Sequence, residues 1–239
     1  MGDAGCSMGT LRAVLIAAFD TATVAVSVAL ADADGLVARF DAPRRRRHAE
    51  TLLPALDVVL SLVDLTRHDL THIAVDVGPG MFTGLRVGVT TAITVAYALD
   101  LGVIPLGSLD LLAWRLALDA SFAGSVGAVL DARRRECFVQ PFAIAPGQAP
   151  VSLAGPSTTP PSVGAALLRE HGCTHVVGDG PNAYPDAFVG WTTLPPPVPD
   201  AATAAVVATR SLQLTVVPEL VALRYLREPD AEIPKDLRS

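Results

Sequence analysis

The sequence predicts an α/β protein of two stacked subdomains with mixed sheets, and three observations carry that prediction. Three short apolar runs bounded by turn residues open the chain; helix-period segments then alternate with strand-length ones; and strands begin afresh near Gly127. The 239 residues suit one large domain or two of about 100 residues each. With 51% hydrophobic residues the chain can bury a sizeable core, which excludes a mostly disordered protein.

Ala13–Phe19 and Val24–Leu30 are apolar runs of strand length, joined by Asp20-Thr21-Ala22-Thr23. A third run, Leu36–Phe40, follows the turn Asp32-Ala33-Asp34-Gly35, and this close spacing predicts an antiparallel meander. Beyond Arg44–Arg47, the residues Leu53, Leu56, Val59, Leu60 and Val63 fall on one helical stripe. Proline is tolerated in a first turn or at a kink, so Pro54 places the start of that helix near His48–Thr51. Ile73–Val77 reads as a strand running into Gly78-Pro79-Gly80, and a long helix over Thr83–Leu99 stops near Gly102. Val103–Leu106 and Leu109–Leu118 are the next strand and helix. In the second half, strands at Gly127–Leu130 and Glu136–Ile144 flank the turn Asp131-Ala132-Arg133-Arg134-Arg135. Pro146–Pro161 is loop with one short strand at Val151–Leu153. Val163–Glu170 is a helix, and His175–Val177 a strand ending in Gly178-Asp179-Gly180. The proline-rich Leu194–Pro199 is a rigid connector, Ala201–Leu212 a helix, and Leu220–Leu226 a late extended segment.

Composition narrows the function classes. The net charge of −6 argues against a free-standing nucleic-acid binder, although arginines cluster at Arg44–Arg47 and Arg133–Arg135. Cys6, Cys137 and Cys173 form no CxxC pair and sit at no zinc-ligand spacing, which points to reduced thiols in a reducing compartment. Mean hydropathy is high, +0.44. Yet the stretch Leu11–Leu30 is cut by Arg12 and Asp20, no signal peptide is recognisable, and no membrane span is expected. The expected location is cytoplasmic.

Two segments invite chemical readings. The Asp20–Thr23 turn could offer N–H groups and hydroxyls to a phosphate, with the acid facing a metal-bound water. Asp and Thr also satisfy their own backbone in turns, and that alternative stays open. Gly78 to Gly88 sets four glycines and a proline at the passage from a buried strand into a long helix, whose N-terminus could bind an anion. It is no P-loop, because Leu85-Arg86 stand where Lys-Ser/Thr is required, and no nucleophile elbow. His48 with Glu50 and His68 with His72 are poorly placed to share a metal, and Cys137 reads as a core cysteine.

A helix face, rather than a pocket, is the expected functional surface. Gly84, Gly88, Thr91 and Val95 recur at spacings of three or four. Two glycines inside a helix cost about 1 kcal/mol each against alanine, a cost that close approach of another backbone would offset. That backbone is either the protein's own sheet or a partner. Leu53, Leu56 and Leu60 line a comparable stripe on the preceding helix, and two such helices would form half of a four-helix contact.

In these residues the chain resembles the TsaB (YeaZ) family. The resemblance is carried by Phe19-Asp20-Thr21-Ala22-Thr23, His48-Ala49-Glu50-Thr51-Leu52-Leu53-Pro54, the Gly78–Gly88 block and Asp131-Ala132-Arg133-Arg134-Arg135-Glu136. Gly178-Asp179-Gly180 and Tyr225-Leu226-Arg227 follow in order, so it spans nearly the whole chain from about residue 13. It implies an ASKHA fold, the actin-like and hexokinase-like pairing of two ribonuclease H-like halves. An N-terminal subdomain, residues 12–107, would carry the partner-binding helices, and a smaller one, residues 108–239, would follow. It also implies a dimerisation subunit of the bacterial machinery that makes N6-threonylcarbamoyladenosine (t6A) in tRNA. Catalysis then belongs to a paralogue, TsaD, with the ATPase TsaE joining the assembly, so no intrinsic cofactor is expected and ATP and metal sit on partner subunits. tRNA would be met only through the complex, and without TsaD the helix faces would pair two copies of this chain. Asp20, Thr21, Thr23, Gly78 and Gly80 become candidates for a vestigial phosphate site. Met81 departs from the family's common serine, and Cys137-Phe138 from its apolar residue and tyrosine, which weakens a phosphate contact at Gly80–Phe82. The rival classes are an ASKHA small-molecule kinase, with Asp20 as its candidate acid, and a peptidase built on Cys137.

Overall fold

The structure is a computed structural model and describes residues 13–42, 48–119, 122–196 and 198–226. Arg44–Arg47, Cys6, Arg12 and Arg227 lie outside the described residues, as do the side chains of His48 and Ala49.

The first half builds a five-stranded sheet. Its strands are β1 (Leu15–Asp20), β2 (Val26–Asp32), β3 (Gly35–Ala42), β4 (His72–Asp76) and β5 (Gly102–Leu106), in the order β3-β2-β1-β4-β5. β1, β2 and β3 form the antiparallel meander that their short turns require, while β4 and β5 run parallel to β1. Side chains alternate across a strand, so β1 feeds two cores at once. Leu15, Ala17 and Phe19 pack with the helices α1 (His48–Ser61) and α2 (Phe82–Leu99). Ile16 and Ala18 face the opposite side, where Ala29, Ala31 and Ala74 meet the alanine-rich helix Ala201–Thr209. Small residues on both partners let that helix sit close to the sheet. Pro54 falls in the second turn of α1 on its exposed side, so its missing N–H leaves no buried acceptor orphaned.

The second sheet comprises β6 (Gly124–Arg133), β7 (Glu136–Ile144), β8 (Val151–Ser152), β9 (Ser157–Thr159), β10 (His175–Val177) and β11 (Thr192–Leu194). Its order is β11-β10-β6-β7-β8, with β9 also on β7. The helix α3 (Ser108–Leu118) lies between the sheets. Its Leu111 joins the alanine-rich core, while Leu109, Leu112 and Leu116 pack on Val126, Ala128 and Leu130 of β6. On the outer face, Leu168 of α4 (Pro161–Glu170) packs with Val129, Val139 and Val176. A short helix, α5 (Gly180–Ala183), follows β10.

Three readings change with the structure. Ala201–Thr209, here α6, ends before Leu212, and its contacts group it with the first sheet although chain order places it in the second half. Leu194, expected to open the connector, instead ends a parallel edge strand, Thr192–Leu194, on β10. Among the described residues the helix with the length and hydropathy of a membrane span is α2, not the Leu11–Leu30 stretch. Its inner stripe, including Leu85, Val89, Ala92 and Ala96, is buried against the protein's own core.

Candidate functional site

The ends of β1 and β4 define the site. Phe19 pairs with Val75 in a parallel register, so Asp20 and Asp76, the next residues, stand side by side where the two strands end. Both are buried, at 3% and 1% exposure. Asp20 Oδ1 accepts the Ala22 N–H at 2.8 Å, which closes the Asp20–Thr23 turn locally. Asp76 Oδ1 accepts the Gly78 N–H at 2.8 Å and the Ser108 hydroxyl at 2.7 Å, whereas Oδ2 is buried without a partner. Burial raises both carboxyls: Asp20 goes well above the usual range, with Asp76 adding repulsion, and Asp76 is pushed up to about 7. A second acid beside Asp20 could not be read from spacing, but the Asp that closes the strand before Gly78-Pro79-Gly80 was its signal.

The glycines let this turn and loop pack into one another. Gly78 has φ +102, a left-handed conformation that favours glycine. A Cβ on Gly80 would overlap the Ala22 carbonyl, which accepts the Met81 N–H at 2.7 Å. A Cβ on Gly88 would overlap Thr21 Oγ1, whose hydroxyl donates to the Gly84 carbonyl at 2.7 Å. The N–H groups of Ala22, Gly78 and Met81 are therefore spent inside the protein. Met81 caps α2 without a side-chain hydrogen bond, and the extended 221–226 segment returns to the loop, Arg224 N–H donating to the Val77 carbonyl at 2.8 Å.

Between the two sheets a notch of about 40 Å³ remains, lined by Thr23, Gly80, Asp131, Arg133 and Asp179 among others. Pockets for nucleotide-sized ligands run to roughly 300–1,000 Å³. Across the notch, Asp131 is tied down on several sides. It accepts the Tyr184 hydroxyl at 2.7 Å, pairs with the Arg133 guanidinium at 2.9 Å, and donates its N–H to Asp179 Oδ1 at 2.8 Å. A larger cavity, about 240 Å³, opens on the far side of α3 beside Trp114, where Arg224 and Asp110 pair at 3.1 Å.

The helix stripe reads differently in three dimensions. Leu56, Leu60, Gly84, Gly88 and Val95 are buried within the chain itself, and Thr91 is half-buried with its hydroxyl donating to the Val87 carbonyl. Their glycines serve internal contact with the Asp20–Thr23 turn, so these residues form no outer face. Leu53 alone of the expected set is exposed, at 36%. The exposed residues of the pair are instead Leu53 and Val58 on α1, Leu62 just past its end, and Thr90, Thr94 and Tyr97 on α2. Leu62 and Tyr97 are 67% and 74% exposed. At the start of α2, the Arg86 guanidinium lies 3.9 Å from the Phe82 ring centre and donates to the Tyr225 hydroxyl at 3.1 Å. Cys137 and Cys173 are free and buried, and burial pushes both thiols up to about 11, the opposite of what a nucleophile needs.

Two stacked α/β lobes, the first with a 3-2-1-4-5 sheet, meeting at a notch beside paired strand-end acids, define an ASKHA, actin-like fold. Solved structures agree: YeaZ from Pseudomonas aeruginosa matches with a TM-score of 0.77 at 24% identity, over 89% of this chain and 100% of that one. In sequence, the tRNA threonylcarbamoyladenosine biosynthesis protein TsaB of Bacillus subtilis is 34% identical over 123 residues, 52% of each chain. The Escherichia coli protein of that name is 35% identical over 126 residues, again 52% of each. An uncharacterised Mycobacterium leprae protein is 33% identical over 91% of this chain and 56% of its own length. The chain thus spans about half the length of the curated relatives it matches. A family profile described as TsaD, tRNA N6-adenosine threonylcarbamoyltransferase, matches residues 41–147. In sequence and in fold the chain is similar to proteins named TsaB or YeaZ.

Proposed function

We propose that this chain is a dimerisation subunit of the assembly that forms t6A in tRNA, and that it is not catalytic by itself. The names of its relatives supply the reaction. The observation that carries the non-catalytic reading is the narrow notch of about 40 Å³, beside which the N–H groups of Ala22, Gly78 and Met81 are consumed internally. The working surface in this reading is the exposed pair formed by α1 and α2. A paralogue of the TsaD type, the family whose profile also matches part of this chain, is the partner whose corresponding helices would complete a four-helix contact. The ATPase TsaE joins that pair and tRNA is met within the complex, while ATP and metal are held by partner subunits. Alone, the same faces pair two copies of this chain.

Co-purification with the TsaD-type protein of the same cell, followed by ATP calorimetry on the isolated chain, tests this. A stable heterodimer and no ATP heat from the chain alone are expected. ATP turnover by the isolated chain that disappears in Asp20→Ala would establish the kinase-like alternative.

A further inference from the structure

The cavity of about 240 Å³ beside α3 plays no part in the partner reading, and its walls converge from well-separated stretches of chain. Leu106, which ends β5, and Phe142 of β7 supply buried apolar wall. Asp110 and Trp114, four residues apart on one face of α3, also line it. So do Leu214, at the end of a short 3-10 turn, and Arg224, on the 221–226 segment. Asp110 and Arg224 are the charged side chains among its described lining residues. They meet through a single contact, Arg224 Nη1 to Asp110 Oδ2 at 3.1 Å, rather than through the two-pronged fork these groups can form. Both are open to solvent, and an exposed pair of this kind opens at little cost. Gly107 stands beside the pair. Its φ of −90 suits any residue, yet a Cβ there would overlap Asp110 Oδ2 and come within 2.8 Å of Arg224 Nη1. The glycine therefore makes room for the two charged groups rather than for a turn.

A carboxylate and a guanidinium side by side balance one another, so the cavity favours no net charge. Their complement is a molecule that carries both charges close together, an ammonium for Asp110 and a carboxylate for Arg224. The apolar walls at Leu106, Trp114, Phe142 and Leu214 then call for an apolar side chain on the same molecule. Size narrows it further. At about 30 Å³ of liquid per water, the cavity has room for on the order of eight waters, or for a molecule of about as many non-hydrogen atoms. A valine or leucine zwitterion is of that size, and a nucleotide is not. We propose that this cavity binds a small free α-amino acid with an apolar side chain, its ammonium on Asp110 and its carboxylate on Arg224. The proposal does not depend on the partner reading.

The indole N–H signal of Trp114 in the isotope-labelled full chain reports occupancy, and Trp191, the other tryptophan, lies outside the cavity lining and serves as control. Titration with L-leucine should move the Trp114 signal saturably, with a Kd of about 0.1–1 mM for so small a ligand. L-Leucinamide, which lacks the carboxylate, and N-acetyl-L-leucine, which lacks the ammonium, should each bind about ten-fold more weakly or worse. L-Alanine should bind about fifty-fold more weakly, because it buries three fewer carbons. Arg224→Gln and Asp110→Asn should each weaken L-leucine about ten-fold while melting within a few degrees of wild type, since both positions are open to solvent. The ligand comparisons use the wild-type chain, so they decide the matter even where a variant fails to fold. A Trp114 signal that L-leucine leaves in place would overturn the proposal. So would equal binding of L-leucine and either blocked derivative, or full leucine affinity in a folded Arg224→Gln chain.

Discussion

Gly88 and Thr21 meet so closely that any side chain at position 88 must displace the hydroxyl that bridges the β1 turn to α2. Gly88→Ala should therefore destabilise the isolated chain by about 1–3 kcal/mol, the usual range for overpacking a filled site. Removing the hydroxyl makes room, so in denaturant melts Thr21→Ala/Gly88→Ala should cost less than the sum of the two single changes. Strict additivity would mean that the two residues do not touch. Asp76 gives a second test at this scale. Its carboxyl, raised from 3.8 to about 7, keeps a proton in the folded chain that the unfolded chain has released, so stability falls as pH rises across that window. Asp20, raised in the same direction, adds to the fall. Asp76→Asn retains an oxygen to accept from Gly78 and Ser108 and cannot ionise. Its melting temperature relative to wild type should climb between pH 5 and 8, and a flat difference over that range would refute the buried-acid assignment.

At the level of elements, the proposed partner face belongs to α1 and α2 together. Leu53→Glu/Tyr97→Glu places charges on exposed positions, so the isolated chain should melt within a few degrees of wild type. Binding to the TsaD-type partner should weaken by about 2 kcal/mol or more, as for interface anchors. Equal affinity, measured by titration calorimetry, would move the interface elsewhere. The existence of these helices was legible in sequence because Leu56, Val59 and Leu60, and Gly84 with Gly88, recur at helical spacing. Their direction was not. α2 is apolar around much of its circumference, with Val87, Ile93 and Leu99 half-buried beside the inner stripe, so periodicity marks no unique face. A glycine pair signals close backbone approach without saying whose backbone approaches, and here it is the chain's own turn.

Across the whole molecule, the β-branched runs that became β1, β2, β4 and β6 were readable because each core strand is apolar and bounded by turn residues. What escaped sequence reasoning depends on long-range contact. α6 is separated from β2 by most of the chain, yet Ser27 Oγ accepts the Ala201 N–H at 2.9 Å and alanines on both sides interlock. β11 is three residues long and gains its identity only by pairing with β10. The Asp20–Asp76 pair likewise exists only because β4 lies beside β1. In the proposed reading the chain works through a partner, at the exposed side of α1 and α2. The direct test is mass-spectrometric t6A content of unmodified tRNA incubated with ATP, threonine-derived substrate and the purified subunits. The account predicts t6A only when this chain and the TsaD-type partner are both present, and none from this chain alone. Modification by this chain without the partner, or a partner whose yield is unaffected by it, would contradict the account.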